Sequence, residues 1–394
     1  MRFASAKTAL AAAAAMTLAT AATAQTETVL YNFPKFASAY GGMTISRTAH
    51  GVLYGAGGPT THGELYQLRQ RHGAWKYSTL YTFHGPDGDA PRGPFFEDAE
   101  GSLYGATIYG GSANSGTVFE WNPEGETVLY SFAGGANDGS GPLPAMLHDE
   151  TTGAFTGMTQ FGGSANCGIV FQLTPSAGVW TETVLYAFKG GSDGCLPVGH
   201  LKMDGSGNLF GVTYSGGPAN TGAVFELSKT GQTWTETVIY TLPGDLKGGS
   251  PSDIDLDTKN GRIYGVATGT GFKGERGTVF EVEQRDGVWQ GRTIYAFKGK
   301  ADGKIPSDIK LVGRTLYGTT QRGGTAKKGT IFKLVRQKSP KSWQETIVHD
   351  FLGSPDDGAV PLSALAWDPR KGVLYGVTVE GGQNDRGTVY QFEP

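Results

Sequence analysis

The chain has 394 residues, 63 of them glycine, with 38% hydrophobic and 18% charged residues and a formal net charge of −3. Glycine without a G-X-Y period, beside that much hydrophobic residue, excludes a collagen-like chain and argues against disorder. Mild acidity without any Lys/Arg run excludes the basic surface that nucleic acid or an anionic membrane requires.

Residues 1–24 read as a secretory signal peptide. Arg2 and Lys7 give a basic start, Ala9 to Ala22 form an apolar run too short to span a bilayer, and Ala22-Thr23-Ala24 precedes Gln25 as a cleavage signal. Removing them leaves 394 − 24 = 370 residues with 31 basic and 36 acidic side chains, a net charge of −5. No second apolar segment follows, so the expectation is a periplasmic or secreted protein without a membrane span.

From Thr26 onward one pattern repeats. Aligned prolines stand at Pro91, Pro142, Pro197, Pro251, Pro306 and Pro361, at spacings of 51, 55, 54, 55 and 55. Each repeat holds four strand-length runs, here a to d in order from the proline. Strand a follows the proline, as in PLPAMLHD and PLSALAWD. Strand b carries Leu53-Tyr54-Gly55, Leu103-Tyr104-Gly105 and their equivalents; Phe155-Thr156-Gly157 is a degenerate copy. Strand c is G-T-V-F-like, from Gly116-Thr117-Val118-Phe119 to Gly387-Thr388-Val389-Tyr390. Strand d is E-T-V-L-Y-x-F, as in Glu126 to Phe132 and Glu182 to Phe188, with a Trp such as Trp180 or Trp234 just ahead. The recurring Tyr and Phe read as packing between repeats.

Four strands in about 50 residues predict an all-β propeller with four antiparallel strands per blade. The sequence starts on a strand d (Glu27 to Phe33) and stops on a strand c (Gly387 to Phe392), one step out of phase. That predicts a single domain over residues 25–394. It would have seven blades, the last built from one N-terminal and three C-terminal strands so that no sheet edge is left unpaired. An open solenoid is the alternative.

The pattern LYG-x-T-x-x-GG-x(4)-GTVF-x-L, then ETVLY-x-F-x-G-x-x-DG-x-x-P, resembles the GloVer tandem-repeat family of exported bacterial proteins, over nearly all of residues 26 to 394. The resemblance implies export but brings no activity to a numbered residue. Members of that family often end in a variable surface anchor; this sequence stops at Pro394, directly after a strand c, and departs from that pattern.

The b–c and d–a loops fall on one face, where a rigid ring presents variable residues. Three b–c loops are neutral, with Tyr109, Phe161 and Tyr214 beside them. Three are charged, carrying Lys273, Glu275 and Arg276, then Arg322, Lys327 and Lys328, then Glu380, Asp385 and Arg386. Aromatic rings stack on sugars, and Arg or Lys pairs with carboxylate or sulfate, which marks Tyr109, Phe161, Tyr214, Arg276, Arg322, Lys327 and Arg386 as candidate glycan contacts. The plainer reading is solvated loops with repeat drift. The d–a loops repeat D-G-x-x-P, as at Asp87-Gly88 and Asp138-Gly139. This is a turn signature in which the carboxylate takes nearby amides. Calcium is conceivable there, although the dense D-x-D-x-D-G spacing is missing, and no other cofactor or metal is implied.

Two adjacent repeats carry Pro251-Ser252-Asp253 and Pro306-Ser307-Asp308 near the predicted channel mouth, with His200 in the neighbouring repeat. Two carboxylates and an imidazole there suit acid/base catalysis or cation binding; alternatively they cap strands or face water. Cys167 and Cys195 fall on the same face and either form a disulfide or remain thiols. His349 occupies the Tyr slot of a strand d and reads as a packing residue, while His62 and His84 fall on the loop face. No G-x-S-x-G, H-E-x-x-H, C-x-x-C or phosphate-binding glycine loop stands in a fitting context. The first expectation is a monomeric binder of a carbohydrate or cell-surface partner. The alternatives are a lyase or hydrolase of an acidic glycan, using Asp253, Asp308 and His200, and a purely structural cell-envelope repeat protein.

Overall fold

The structure, a computed structural model, describes residues 26–34, 39–58, 61–244, 249–269, 276–337 and 342–394. The leader assigned to residues 1–24 lies outside them, as do Lys273 and Glu275. No helix among the described residues is long and apolar enough to cross a membrane.

The fold is all-β and propeller-like. Each repeat forms a sheet of four antiparallel strands in the order a-b-c-d, as in Cys195–Met203, Leu209–Ser215, Ala223–Thr230 and Thr233–Thr241. One parallel bridge, Gly41 to Gly93, links two of these groups into an eight-stranded sheet. The N-terminal strand Glu27–Asn32 pairs antiparallel with Thr388–Phe392, Glu27 opposite Phe392. Apolar clusters fill the space between neighbouring repeats. One joins Phe33, Met43 and Tyr66 near the N-terminus to Val373, Tyr375 and Val389 near the C-terminus.

The prolines belong to strand a rather than standing ahead of it, and Pro251 opens Pro251–Asp257. Cys195–Met203 and Lys304–Val312 both begin two residues before theirs. Strand a is also broken in two repeats, into Gly139–Pro142 and Leu147–His148, and into Gly358–Pro361 and Ala366–Asp368.

The residue before each of these prolines takes a positive φ, 60° at Leu196, 56° at Ile305 and 56° at Val360. That conformation costs a β-branched residue about 1–3 kcal/mol. It is held because each N–H donates to a carbonyl of the preceding repeat: Leu196 to Cys167 O at 2.9 Å, Ile305 to Arg276 O at 3.1 Å and Val360 to Lys328 O at 2.7 Å. The proline then covers the glycine that opens the preceding strand c. A Cβ on Gly222 would lie 2.4 Å from Pro251 Cδ, and one on Gly277 2.2 Å from Pro306 Cδ, so only glycine fits. The glycine of G-T-V-F and the proline of the next repeat are thus two sides of one contact.

The D-G aspartates cap turns. Asp138 accepts from the Ala133 and Gly139 amides, both at 2.6 Å, and Asp357 from Leu352 at 2.7 Å and Gly358 at 2.6 Å.

Candidate functional site: an axial cavity with a buried carboxyl pair

The strands a converge on a cavity of about 260 Å³. Gly42, Gly93, Pro144, His200, Asp253, Asp308 and Ala364, from successive repeats, all line it. Side chains on a strand alternate between faces, so residues two apart share one. Here the alternation builds two layers of charge. His200, Asp253 and Asp308 face the cavity. One two-residue step on, Lys202, Asp255 and Lys310 form an ion-paired row, with Lys202 Nζ 3.2 Å from Asp255 Oδ1 and Lys310 Nζ 3.4 Å from Asp255 Oδ2. The Leu311 amide also donates to Asp255 Oδ2 at 2.9 Å. Burial disfavours the Lys202 ammonium, but Asp255, with Asp253 behind it, holds its pKa above the ordinary lysine value.

The upper layer is tightly specified. Asp253 Oδ1 accepts the His200 backbone N–H at 3.0 Å and pairs with His200 Nδ1 at 2.9 Å. Gly199, at φ 67°, permits that approach: a Cβ there would meet Ser252 O at 2.5 Å and Asp253 Oδ1 at 2.8 Å. Asp308 Oδ2 accepts the Leu365 amide at 2.7 Å. The two carboxyls also hydrogen-bond each other, and both residues are only 3% exposed. Two adjacent carboxylates out of water cannot both ionise, so the pair holds a proton. Burial works to raise Asp253, but His200, with Lys202 and the bond from Asp308, holds its carboxyl far below the usual range. Burial and the neighbouring Asp253 charge push Asp308 well above it. The proton therefore sits on Asp308, which donates to Asp253. Because an ionised Asp253 only accepts, His200 Nδ1 carries hydrogen and donates.

Two further links lock the rim of this layer. Ser252 Oγ donates to Pro306 O at 3.2 Å, and Ser307 Oγ to Pro361 O at 3.0 Å, so each Pro-Ser-Asp run ties one repeat to the next. His200, Asp253 and Asp308 offer ligand atoms within 4.8 Å of one another, a spacing that admits a cation. Those atoms already take two N–H donors on Asp253, one on Asp308 and the shared proton.

Of the residues singled out in sequence, His200, Asp253 and Asp308 come together at the axis. The candidate glycan contacts do not join them. Tyr109, Phe161 and Tyr214 are 53%, 40% and 46% exposed, and none of them lines the cavity. Tyr109 and Phe161 do adjoin the lining residues Ile108 and Gln160. Arg276, Arg322, Lys327 and Arg386 also lie outside the lining. Arg92 and Gln160, which line the cavity, and the Lys202–Asp255–Lys310 row escaped the sequence reading. The signal was present as charged residues two apart in HLK, DID and DIK, on strands where alternation sends both to one face. Cys167 and Cys195 are bonded, with Cα atoms 4.5 Å apart, which ties a b–c loop to the d–a loop leaving the same repeat.

These features define a propeller-like repeat protein with a polar axial cavity. The chain belongs to the family described as the Gloeobacter/Verrucomicrobia repeat, which matches residues 39–251 and 230–394. No curated protein matches it by sequence. Among solved structures it is similar to the extracellular domain of a one-component system from B. thetaiotaomicron. That match has 14% identity and a TM-score of 0.56, and covers 90% of this chain and 40% of that one. A Bacteroides uniformis protein described as a 6-phosphogluconolactonase matches at 14% identity and a TM-score of 0.54, over 84% of this chain and 96% of that one. A puromycin-hydrolyzing peptidase from Mycobacterium tuberculosis matches at 12% identity and a TM-score of 0.53, over 86% and 48%. Identities this low carry the fold alone.

Proposed function

We propose that the protein is an exported, monomeric seven-bladed propeller, closed by its N-terminal strand, that binds a carbohydrate at the mouth of the axial cavity. Pairing of Glu27–Asn32 with Thr388–Phe392 supports closure. The observation that carries binding over catalysis is the state of the carboxyl pair. Glycosidase carboxyls stand about 5–5.5 Å apart when retaining and about 6.5–9.5 Å when inverting. Asp253 and Asp308 touch, and their oxygens are spent on amides, an imidazole and each other. Such a pair holds the ring together around a cavity that Arg92 and Gln160 also line. The exposed aromatics Tyr109 and Phe161, each next in sequence to a residue that lines the cavity, suit sugar stacking. An extracellular domain among the structures of similar fold accords with export.

The test is a panel of neutral and acidic polysaccharides offered to the purified protein, with binding and the release of reducing or unsaturated ends measured together. Binding without product, weakened in Tyr109→Ala and Phe161→Ala, is the expected result. Absence of binding across the panel overturns the proposal. The second reading, cleavage of an acidic glycan, draws on one observation: a protonated and an ionised carboxyl beside an imidazole. Product release that disappears in Asp253→Asn/Asp308→Asn would establish that reading instead.

A further inference from the structure

The strand d glutamates meet the preceding repeat in the same way five times. Glu126, Glu182, Glu236, Glu345 and Glu27 each stand beside a D-G aspartate: Asp87, Asp138, Asp193, Asp302 and Asp357. In four of these places a tyrosine completes the group. Tyr81, Tyr130, Tyr186 and Tyr295 donate to their aspartates at 2.6, 3.2, 2.6 and 3.0 Å. In the fifth, where the N-terminal strand meets residues 349–357, the phenol is replaced by the imidazole of His349.

The substitution changes what the group can bind. His349 Nε2 lies 3.2 Å from Asp357 Oδ2 and 3.9 Å from Glu27 Oε2, and all three residues offer ligand atoms within 4.8 Å of one another. A four-coordinate zinc ion, with ligand bonds of about 2.0–2.2 Å, has ligand-to-ligand edges of about 3.3–3.6 Å, between those two distances. The Glu27 side chain is only 7% exposed, yet its Oε1 has no hydrogen-bond partner. The equivalent oxygen is also unpartnered in the four tyrosine copies, and in one of them His84 Nδ1 stands 3.2 Å from Asp87 Oδ2, but among these five places only the group of Glu27, His349 and Asp357 gathers an imidazole nitrogen and two carboxylates within 4.8 Å of one another. Asp357 is oriented by the Leu352 and Gly358 amides, and the His349 ring by its edge-on contact with Phe351 at 4.6 Å. Fixed carboxylates and fixed rings are what metal ligands need around them. The His349 side chain is 20% exposed, which leaves a path for the ion and for a water ligand.

We propose that Glu27, His349 and Asp357 form a site for a divalent transition-metal ion of the zinc type. One imidazole with two carboxylates suits zinc or its neighbours, whereas calcium takes six to eight oxygens, which this group does not supply. The ion joins Glu27 to residues 349 − 27 = 322 and 357 − 27 = 330 positions further along the chain. It clips the N-terminal strand in place, and an ion held by the folded chain alone stabilises the fold by mass action.

The experiment is calorimetric titration of the chelator-treated, purified chain with Zn²⁺, beside thermal melts and the visible absorption of the Co²⁺ form. The expected result is one equivalent bound, a melting temperature that rises with zinc, and cobalt bands of a low-coordinate site. His349→Tyr restores the phenol of the sister copies and is expected to fold; Glu27→Gln keeps the shape of the side chain. Each should weaken zinc binding by about ten-fold or more and abolish the thermal shift. The proposal fails if the wild-type chain takes up no stoichiometric zinc. It also fails if Glu27→Gln binds zinc as tightly as wild type, as it would were the ion held at His62 or His84. Should His349→Tyr not fold, Glu27→Gln decides.

Discussion

Replacing one carboxyl of the axial pair should have opposite consequences from replacing the other. Asparagine has the shape of a protonated aspartate and can donate from the same place. In Asp308→Asn, the amide oxygen still accepts the Leu365 N–H, and the amide nitrogen donates to Asp253 in place of the lost proton. The expected change at pH 7 is within about 1 kcal/mol. In Asp253→Asn, the charge that accepts both the His200 backbone N–H and the Nδ1–H disappears. A hydrogen bond to a charged group contributes about 1.5–3 kcal/mol against about 0.5–1.5 for a neutral one, so two such bonds lose roughly 2–3 kcal/mol together. Urea unfolding of the two variants beside wild type, with equal m-values, measures the difference. An Asp308→Asn variant destabilised as much as Asp253→Asn would refute the assignment of the proton to Asp308.

Two further outcomes follow from other parts of the fold. Burial, then the charge of Asp138, raises Glu182 from 4.5 to about 7. A folded-state pKa raised above the unfolded one gives stability that is complete below about 4.5 and is lost as pH rises through about 7. The full shift of about 2.5 units corresponds to about 3.4 kcal/mol, and solvent screening of this half-exposed group reduces it to about 1–2 kcal/mol. Glu182→Gln should therefore flatten the fall in unfolding free energy between pH 5 and pH 8, and an unchanged slope would count against the buried carboxyl. Reducing the Cys167–Cys195 bond opens a loop spanning 28 positions and should lower stability by about 3–4 kcal/mol, seen as a lower urea midpoint for Cys167→Ala/Cys195→Ala. A midpoint equal to wild type would show that the loops are held without it.

The repeat and its strands were legible in the sequence because strand formation is a local matter. Alternating apolar residues, LYG and D-G punctuation, and regularly spaced prolines mark each run wherever it lies. The first run carries the strand d pattern and the last the strand c pattern, and Glu27–Asn32 does pair with Thr388–Phe392. The site was legible only in outline. His200, Asp253 and Asp308 stood out as departures from the repeat, but they lie 53 and 55 positions apart, and no spacing rule fixes distances across separate sheets. Only the convergence of the strands a decided that these two carboxyls meet each other and His200 at the cavity. The same holds for His349. In sequence it is one histidine in a tyrosine slot, and its meaning depends on Glu27, 322 positions earlier (349 − 27), folding back to within 3.9 Å of its ring nitrogen. Local patterns determine which strands form; what a polar side chain does depends on neighbours that only the packing of distant strands supplies.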